Sequence, residues 1–187
     1  MLMFIKKFDA GLFEETFHPS AADKGKVDIK FYTDMGLLTK NMVDETIEKV
    51  EEAGLKNVLK GKRVIVASTD THVYGVHYVK AVLESAGADV IEAGVDSSVE
   101  YIFDMAEEEG VRYIGISTHN GQALGIAGQV LEEEKKRDRE YVAFLGGVLN
   151  TILPGHTEPS DVKNMINSKG VFADNDLLET IRLIRDC

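Results

Sequence analysis

The sequence predicts an α/β protein: a doubly wound, five-stranded parallel sheet with helices on both faces, preceded by an N-terminal extension. Three observations predict it. From Lys62 onward, short apolar runs alternate with helical stretches of about a dozen residues, the signature of parallel strands joined by crossover helices. The runs are apolar along their length, as strands covered on both faces must be. Gly87 and Gly110 stand where a helix would stop before the next strand.

Residues 1–36 have no firm periodicity. "FHPSAADKGK" reads as a loop punctuated by Pro19 and Gly25, and "VDIKFY" as a short strand. From Leu37 the pattern turns helical, with Leu38, Met42, Ile47 and Val50 near one face and Gly54 as the stop. "RVIVAS" is then the first strand of the sheet and "VHYVKAVLESAG" its helix. "ADVIEAG" and "SVEYIFDMAEEEG" form the second pair, "VRYIGIS" and "GIAGQVLEEEKKR" the third, and "YVAFLGG" is the fourth strand. "PSDVKNMINSKG" and "DNDLLETIRLIRDC" read as helices, with "VFA" between them as the fifth strand. Such units with right-handed crossovers suit a flavodoxin-like, Rossmann-like order, 2-1-3-4-5. The expected division is an extension over residues 1–60, carrying one amphipathic helix, and a binding domain over residues 61–187. The charge run "EEEKKRDRE" is mixed in sign and reads as a solvated helix end.

Composition narrows the function. The 187 residues are 44% hydrophobic and 28% charged, with a net charge of −11. No basic stripe is visible, which argues against a nucleic-acid partner. Cys187 is the sole cysteine, so an intrachain disulfide or a cysteine-ligated zinc is ruled out. The opening "MLMFI" is too short for a signal h-region and no membrane-length apolar span follows, so a cytoplasmic, membrane-free protein is expected.

In such a sheet, ligands bind beyond the carboxyl ends of the strands, where the strand order switches. The first and third strands exit there through "STDTHVYG" and "STHNGQALG", and the fourth through "LGGVLN". An imidazole at His72 suits a base, a nucleophile or a metal ligand. Asp70, two residues earlier, is close enough to accept a hydrogen bond from the other ring nitrogen and fix the tautomer. Gly75, Gly146 and Gly147 remove side chains and let backbone or ligand approach closely.

Asp70-x-His72-x-x-Gly75 resembles the D-x-H-x-x-G signature of the cobalamin-binding domain family. Ser117 stands where that family has the serine of its S-x-L motif, and Gly146-Gly147 match its glycine pair. The resemblance covers roughly residues 60–187. It implies a base-off cobalamin with His72 as the cobalt ligand and Asp70 tuning it. The displaced nucleotide tail would lie against Gly75, Ser117 and Gly146-Gly147, with Ser117 bonding the benzimidazole and Thr118 and Gly121 as further cofactor-binding positions. Two departures stand out: His119 replaces the apolar residue of S-x-L, and "GVFADND" replaces a late G-P-G-T-like turn.

Blander readings exist for each residue. His72 can be a loop histidine at a helix start, Asp70 a loop or N-terminus stabiliser, and Ser117 a routine strand end. His119 reads as pocket-lining or solvent-facing, and His18, His77 and His156 as packing or surface residues. An FMN protein of the same fold would sandwich its ring between aromatics, which these loops lack. A response-regulator receiver needs an aspartate where Ser117 stands. A zinc site from Asp70, His72 and His119 stays open.

A (β/α)₈ barrel needs about 200 residues or more, so substrate chemistry is expected on a separate, larger barrel-type subunit. Methyl carriers of the family place a helical bundle first and often continue the motif as H-D-I-G. Here the motif is His72-Val73-Tyr74-Gly75, and "STHNGQALG" and "GVDSS" resemble the small subunit of glutamate mutase. The resemblance therefore implies the small component of an adenosylcobalamin-dependent mutase, with a methylcobalamin carrier as the alternative. Residues 1–60 are left three roles: covering the sheet, forming a homodimer contact or docking the partner.

Overall fold

The computed structural model describes residues 34–187 other than Asp138, with side chains from Thr39 onward. The loop and strand expected within residues 1–33 lie outside the described residues. Two units divide the chain, 1–42 and 43–187, and the second carries the sheet.

The first described helix, α1, is Asp34–Glu52, and Gly54 follows it with φ +67, the left-handed conformation that ends helices. Val50 on its last turn is fully buried. The sheet then builds as expected: β1 Arg63–Ser68, α2 Val73–Ser85, β2 Asp89–Gly94, α3 Val99–Glu108, β3 Tyr113–Thr118, α4 Ala123–Lys136 and β4 Val142–Gly147. Two short strands, β5 Asn150–Ile152 and β6 Pro159–Asp161, come next, then α5 Lys163–Ser168, β7 Phe172–Ala173 and α6 Leu177–Asp186.

The main sheet has five strands, all parallel, in the order β2-β1-β3-β4-β7. Counted within that sheet, this is the predicted 2-1-3-4-5. The remaining pair, β5 and β6, forms a separate antiparallel ribbon. That ribbon corrects the helix expected from Pro159: only Lys163–Ser168 is helical. Pro159 has no N–H to give a ladder, and at the ribbon's edge it need not give one.

The sheet is covered on both faces. One side packs Ile65, Ile114, Ile116 and Leu145 against Ile102, Phe103, Ala127 and Val130. The other packs Val64, Val66 and Phe144 against Val82, Leu83, Ile181 and Ile184. Each strand thus spends alternate residues on opposite cores, which explains runs without polar alternation. Among the described residues no helix is long and apolar enough to cross a membrane.

Candidate functional site

Parallel register brings the strand exits level. Ser68 pairs with Ser117, Ser117 with Gly146, and Thr118 with Gly147. Motifs about fifty and thirty residues apart in sequence therefore meet along one edge, because each crossover helix returns the chain to the same starting line. Backbone bonds lock the loops beyond: Thr69 N–H donates to Ser117 O at 3.1 Å, Asp96 N–H to Asp70 O at 2.9 Å and Val148 N–H to Thr118 O at 2.7 Å.

Asp70 is the hub. Its side chain lies buried beneath the loop, and its two oxygens are fully engaged. Oδ1 accepts from Ser68 Oγ at 3.1 Å, from His72 N–H at 2.9 Å and from His72 Nδ1 at 2.7 Å. Oδ2 accepts from the backbone N–H of His119 at 2.6 Å. Burial works against the ionised carboxyl, yet the His72, His119 and Ser68 donors outweigh it and hold the Asp70 pKa below its usual value.

This arrangement fixes His72. With Nδ1–H directed at a carboxylate, the neutral ring carries its lone pair on Nε2. The side chain is 45% exposed, so Nε2 belongs to a ring that solvent and ligands reach. His72 is also the N-cap of α2 but makes no side-chain cap bond. The loop-capping reading therefore falls to Asp70, which bonds both the backbone and the ring of His72.

His119 is a partner that the spacing alone did not reveal. Its ring stacks on His72 with centroids 4.8 Å apart and planes 22° from parallel. Burial depresses its pKa first, the neighbouring His72 adds to that, and Asp70 offsets part of it. Asp70, His72 and His119 offer ligand atoms within 4.8 Å of one another. Asp70, however, has already committed both oxygens to hydrogen bonds, which makes it a poor first ligand for zinc.

The glycines are placed by contacts that side chains would break. A Cβ on Gly75 would lie 2.6 Å from Ser117 Oγ. Gly147 has φ +98, and a Cβ there would lie 2.4 Å from Thr118 O. Gly146 faces the backbone of Asp174, whose neighbour Asn175 accepts from Gly147 N–H at 2.8 Å. Ser117 and Thr118 are buried. Gly121, at φ +69, has Asn150 of the β5–β6 ribbon beside it. Sequence reasoning missed Ser68 and Asn175, and it named His119 without its stacking on His72. Ser68, the last residue of the first strand, carried the one available signal: a hydroxyl two residues before an aspartate.

His77 and His156 are exposed, apart from the cluster, and His18 lies outside the described residues.

Known proteins resemble this chain in the same region. The B12 binding domain model matches residues 62–167. A fused isobutyryl-CoA mutase of Geobacillus kaustophilus is 28% identical over 94 residues, 49% of this chain and 9% of that protein. The match thus spans less than a tenth of that relative. A crystal structure of a cobalamin-binding protein from Desulfitobacterium hafniense aligns with a TM-score of 0.53 at 18% identity, over 68% of this chain and 59% of that one. At such identity the likeness concerns the fold. The family model, by contrast, covers more than half of the chain and takes in the exits of β1, β3 and β4, and the chain belongs to the B12 binding domain family.

Proposed function

We propose that residues 61–187 bind cobalamin in the base-off form with His72 as the cobalt ligand, and present it to a separate, larger catalytic subunit. The observation that carries this is the 2.7 Å bond between Asp70 and His72 Nδ1, which leaves Nε2 as the free donor on an accessible ring. A neutral imidazole nitrogen is the donor such a metal centre needs, and the buried carboxylate behind it raises its basicity. The glycine contacts are compatible with the same reading: Gly75, Gly146 and Gly147 let the loops close up around Ser117, Thr118 and Asp174, so that the strand exits form one compact surface beside His72. Thr118 and Gly121 complete the residues assigned to the cofactor.

Bound adenosylcobalamin would supply a carbon radical by breaking its cobalt–carbon bond. The chain's own residues hold and orient. Asp70 keeps the proton on Nδ1 of His72, Ser68 and the His119 N–H keep Asp70 in place, and Ser117 offers a hydroxyl to the tail. Val73, Val95, Val148 and Ile152 are exposed on the same edge of the sheet, and apolar side chains there suit a surface that a catalytic subunit closes over. The isomerase activity then belongs to the assembled mutase, and this chain alone turns over no substrate.

The test is direct. Purified protein incubated with cobalamin and desalted retains it with a base-off spectrum. Electron paramagnetic resonance of the cob(II)alamin form shows one coupled nitrogen that changes on ¹⁵N-histidine labelling and disappears in His72→Gly. Retention of FMN or zinc with loss of cobalamin would sink the reading. A barrel-sized mutase encoded beside this chain supports the mutase role; a methyltransferase neighbour with methylcobalamin formation supports the methyl carrier instead.

A further inference from the structure

His119 stands at the third position of the serine motif, where the resembled family has an apolar residue. Its imidazole lies between two glycines of the site. A Cβ on Gly147 would sit 3.3 Å from His119 Nδ1, and one on Gly75 would sit 4.0 Å from His119 Cε1. The third neighbour is the ring of His72, stacked at 4.8 Å. The ring therefore fills the space between the first turn of α2 and the end of β4, beside Ser117.

The placement is held by packing and not by polar bonds. His119 Nδ1 is buried with no hydrogen-bond partner among the described residues, an unfavourable setting for a ring nitrogen. The main chain is nonetheless fixed, because His119 N–H is bonded to Asp70 Oδ2. A ring that is loosely satisfied on an anchored backbone can turn about its Cα–Cβ bond without moving the loop. Its departure would leave Ser117 and Thr118 in place against the two glycines, clear the space the ring itself occupies beside them, and let Nδ1 reach a polar partner.

We propose that His119 determines which corrinoids the site accepts: its ring closes the space between Gly75 and Gly147, and turns out of it when a nucleotide tail enters. This deepens the cobalamin reading and rests on it. A corrinoid without a tail has no need to displace the ring, so His119 sets the affinity for tailed relative to tail-less forms. The residue acts by occupying the space, and His72 remains the ligand.

The experiment compares cobalamin with cobinamide, the corrinoid that lacks the nucleotide tail, by absorbance titration of the full chain. Wild type, His119→Leu and His119→Phe are measured side by side. In His119→Leu the ratio of cobalamin to cobinamide affinity rises about two- to tenfold, the range that a lost ring-on-ring contact is worth. In His119→Phe, a ring that stacks on His72 without a polar atom to recruit, the ratio falls. Cobinamide affinity stays the same in all three. An unmoved ratio in both variants, or cobinamide and cobalamin affinities that change in step, overturns the proposal while leaving the cobalamin reading intact. Failure of the wild type to retain either corrinoid overturns both.

Discussion

At the scale of single residues, the site depends on one carboxylate that organises four donors. Asp70 bonds His72 through backbone and ring, holds the His119 backbone and receives the Ser68 hydroxyl. Asp70→Asn keeps the size but loses the charge and half of the acceptor capacity, so the His72 tautomer is no longer enforced. Cobalamin affinity in that variant should fall about 10- to 100-fold, as with other residues that orient metal-bound histidines. Titration followed by its absorbance change checks this, and an unchanged affinity would detach Asp70 from ligand control. Gly147 makes a second prediction. At φ +98 an alanine is strained, and its methyl would meet the Thr118 carbonyl, which is main chain and cannot step aside cheaply. Gly147→Ala should cost about 2 kcal/mol or more of stability, read from the urea midpoint, and should weaken corrinoid retention as well. The Asp70–His72–Gly75 spacing was legible in the sequence because local turn chemistry writes it within six residues. The stack of His119 on His72 was not, since it joins two loops 47 residues apart through the β1–β3 register.

Among the elements, the long apolar runs foretold their own strands, and the helices between them foretold the parallel order. The β5–β6 ribbon escaped because Asn150–Ile152 and Pro159–Asp161 are too short to display a period of two. Val162, Ile166 and the polar residues between them gave Pro159–Ser168 a helical spacing that only its second half uses. Another feature at this scale joins α4 to α3. Arg137, just past the end of α4, bonds Glu133 one turn back and Asp104 on α3, and its guanidinium lies 5.2 Å from the centre of the Phe103 ring. Both partners of the Arg137–Glu133 pair are about nine-tenths buried. The Lys136 and Arg137 bonds hold the Glu133 pKa low. Arg137→Met would preserve the packing on Phe103 but leave Glu133 with Lys136 alone. Removing one member of a buried pair exposes the desolvation cost of the other. The loss should be about 2–3 kcal/mol in chemical denaturation, and the double variant Arg137→Met with Glu133→Gln should recover part of it. A full additive loss in the double variant would show that Arg137 acts through Asp104 or Phe103 and not through Glu133.

For the molecule as a whole, two cores share one sheet, and the carboxyl edge of that sheet is the place where polar and glycine residues replace the apolar packing. There it concentrates a stacked histidine pair, a buried aspartate and closely packed glycines. A ligand that binds this edge only in the native state adds stability by mass action, about 2.7 kcal/mol at a hundredfold excess over its Kd. For a chain of this size, each kcal/mol moves the melting midpoint by about 2–4 °C, so saturating cobalamin should raise Tm by roughly 5–10 °C. The size of that shift separates the contributions of the site. His72→Gly removes the nitrogen donor and leaves the surface to which the tail is assigned, so part of the shift survives at the same cobalamin concentration. Gly147→Ala starts from a lower Tm and should also lose most of the shift, because the strain lies where the tail is assigned. Cobinamide should give a smaller shift than cobalamin in wild type, by the share that the tail contributes. Thermal scans of the three proteins with both corrinoids read all of this at once. Equal shifts from cobalamin and cobinamide would place the binding energy on the ring alone and empty the glycine cradle of its assigned role. A shift with FMN or zinc and none with either corrinoid would assign the whole edge to another ligand.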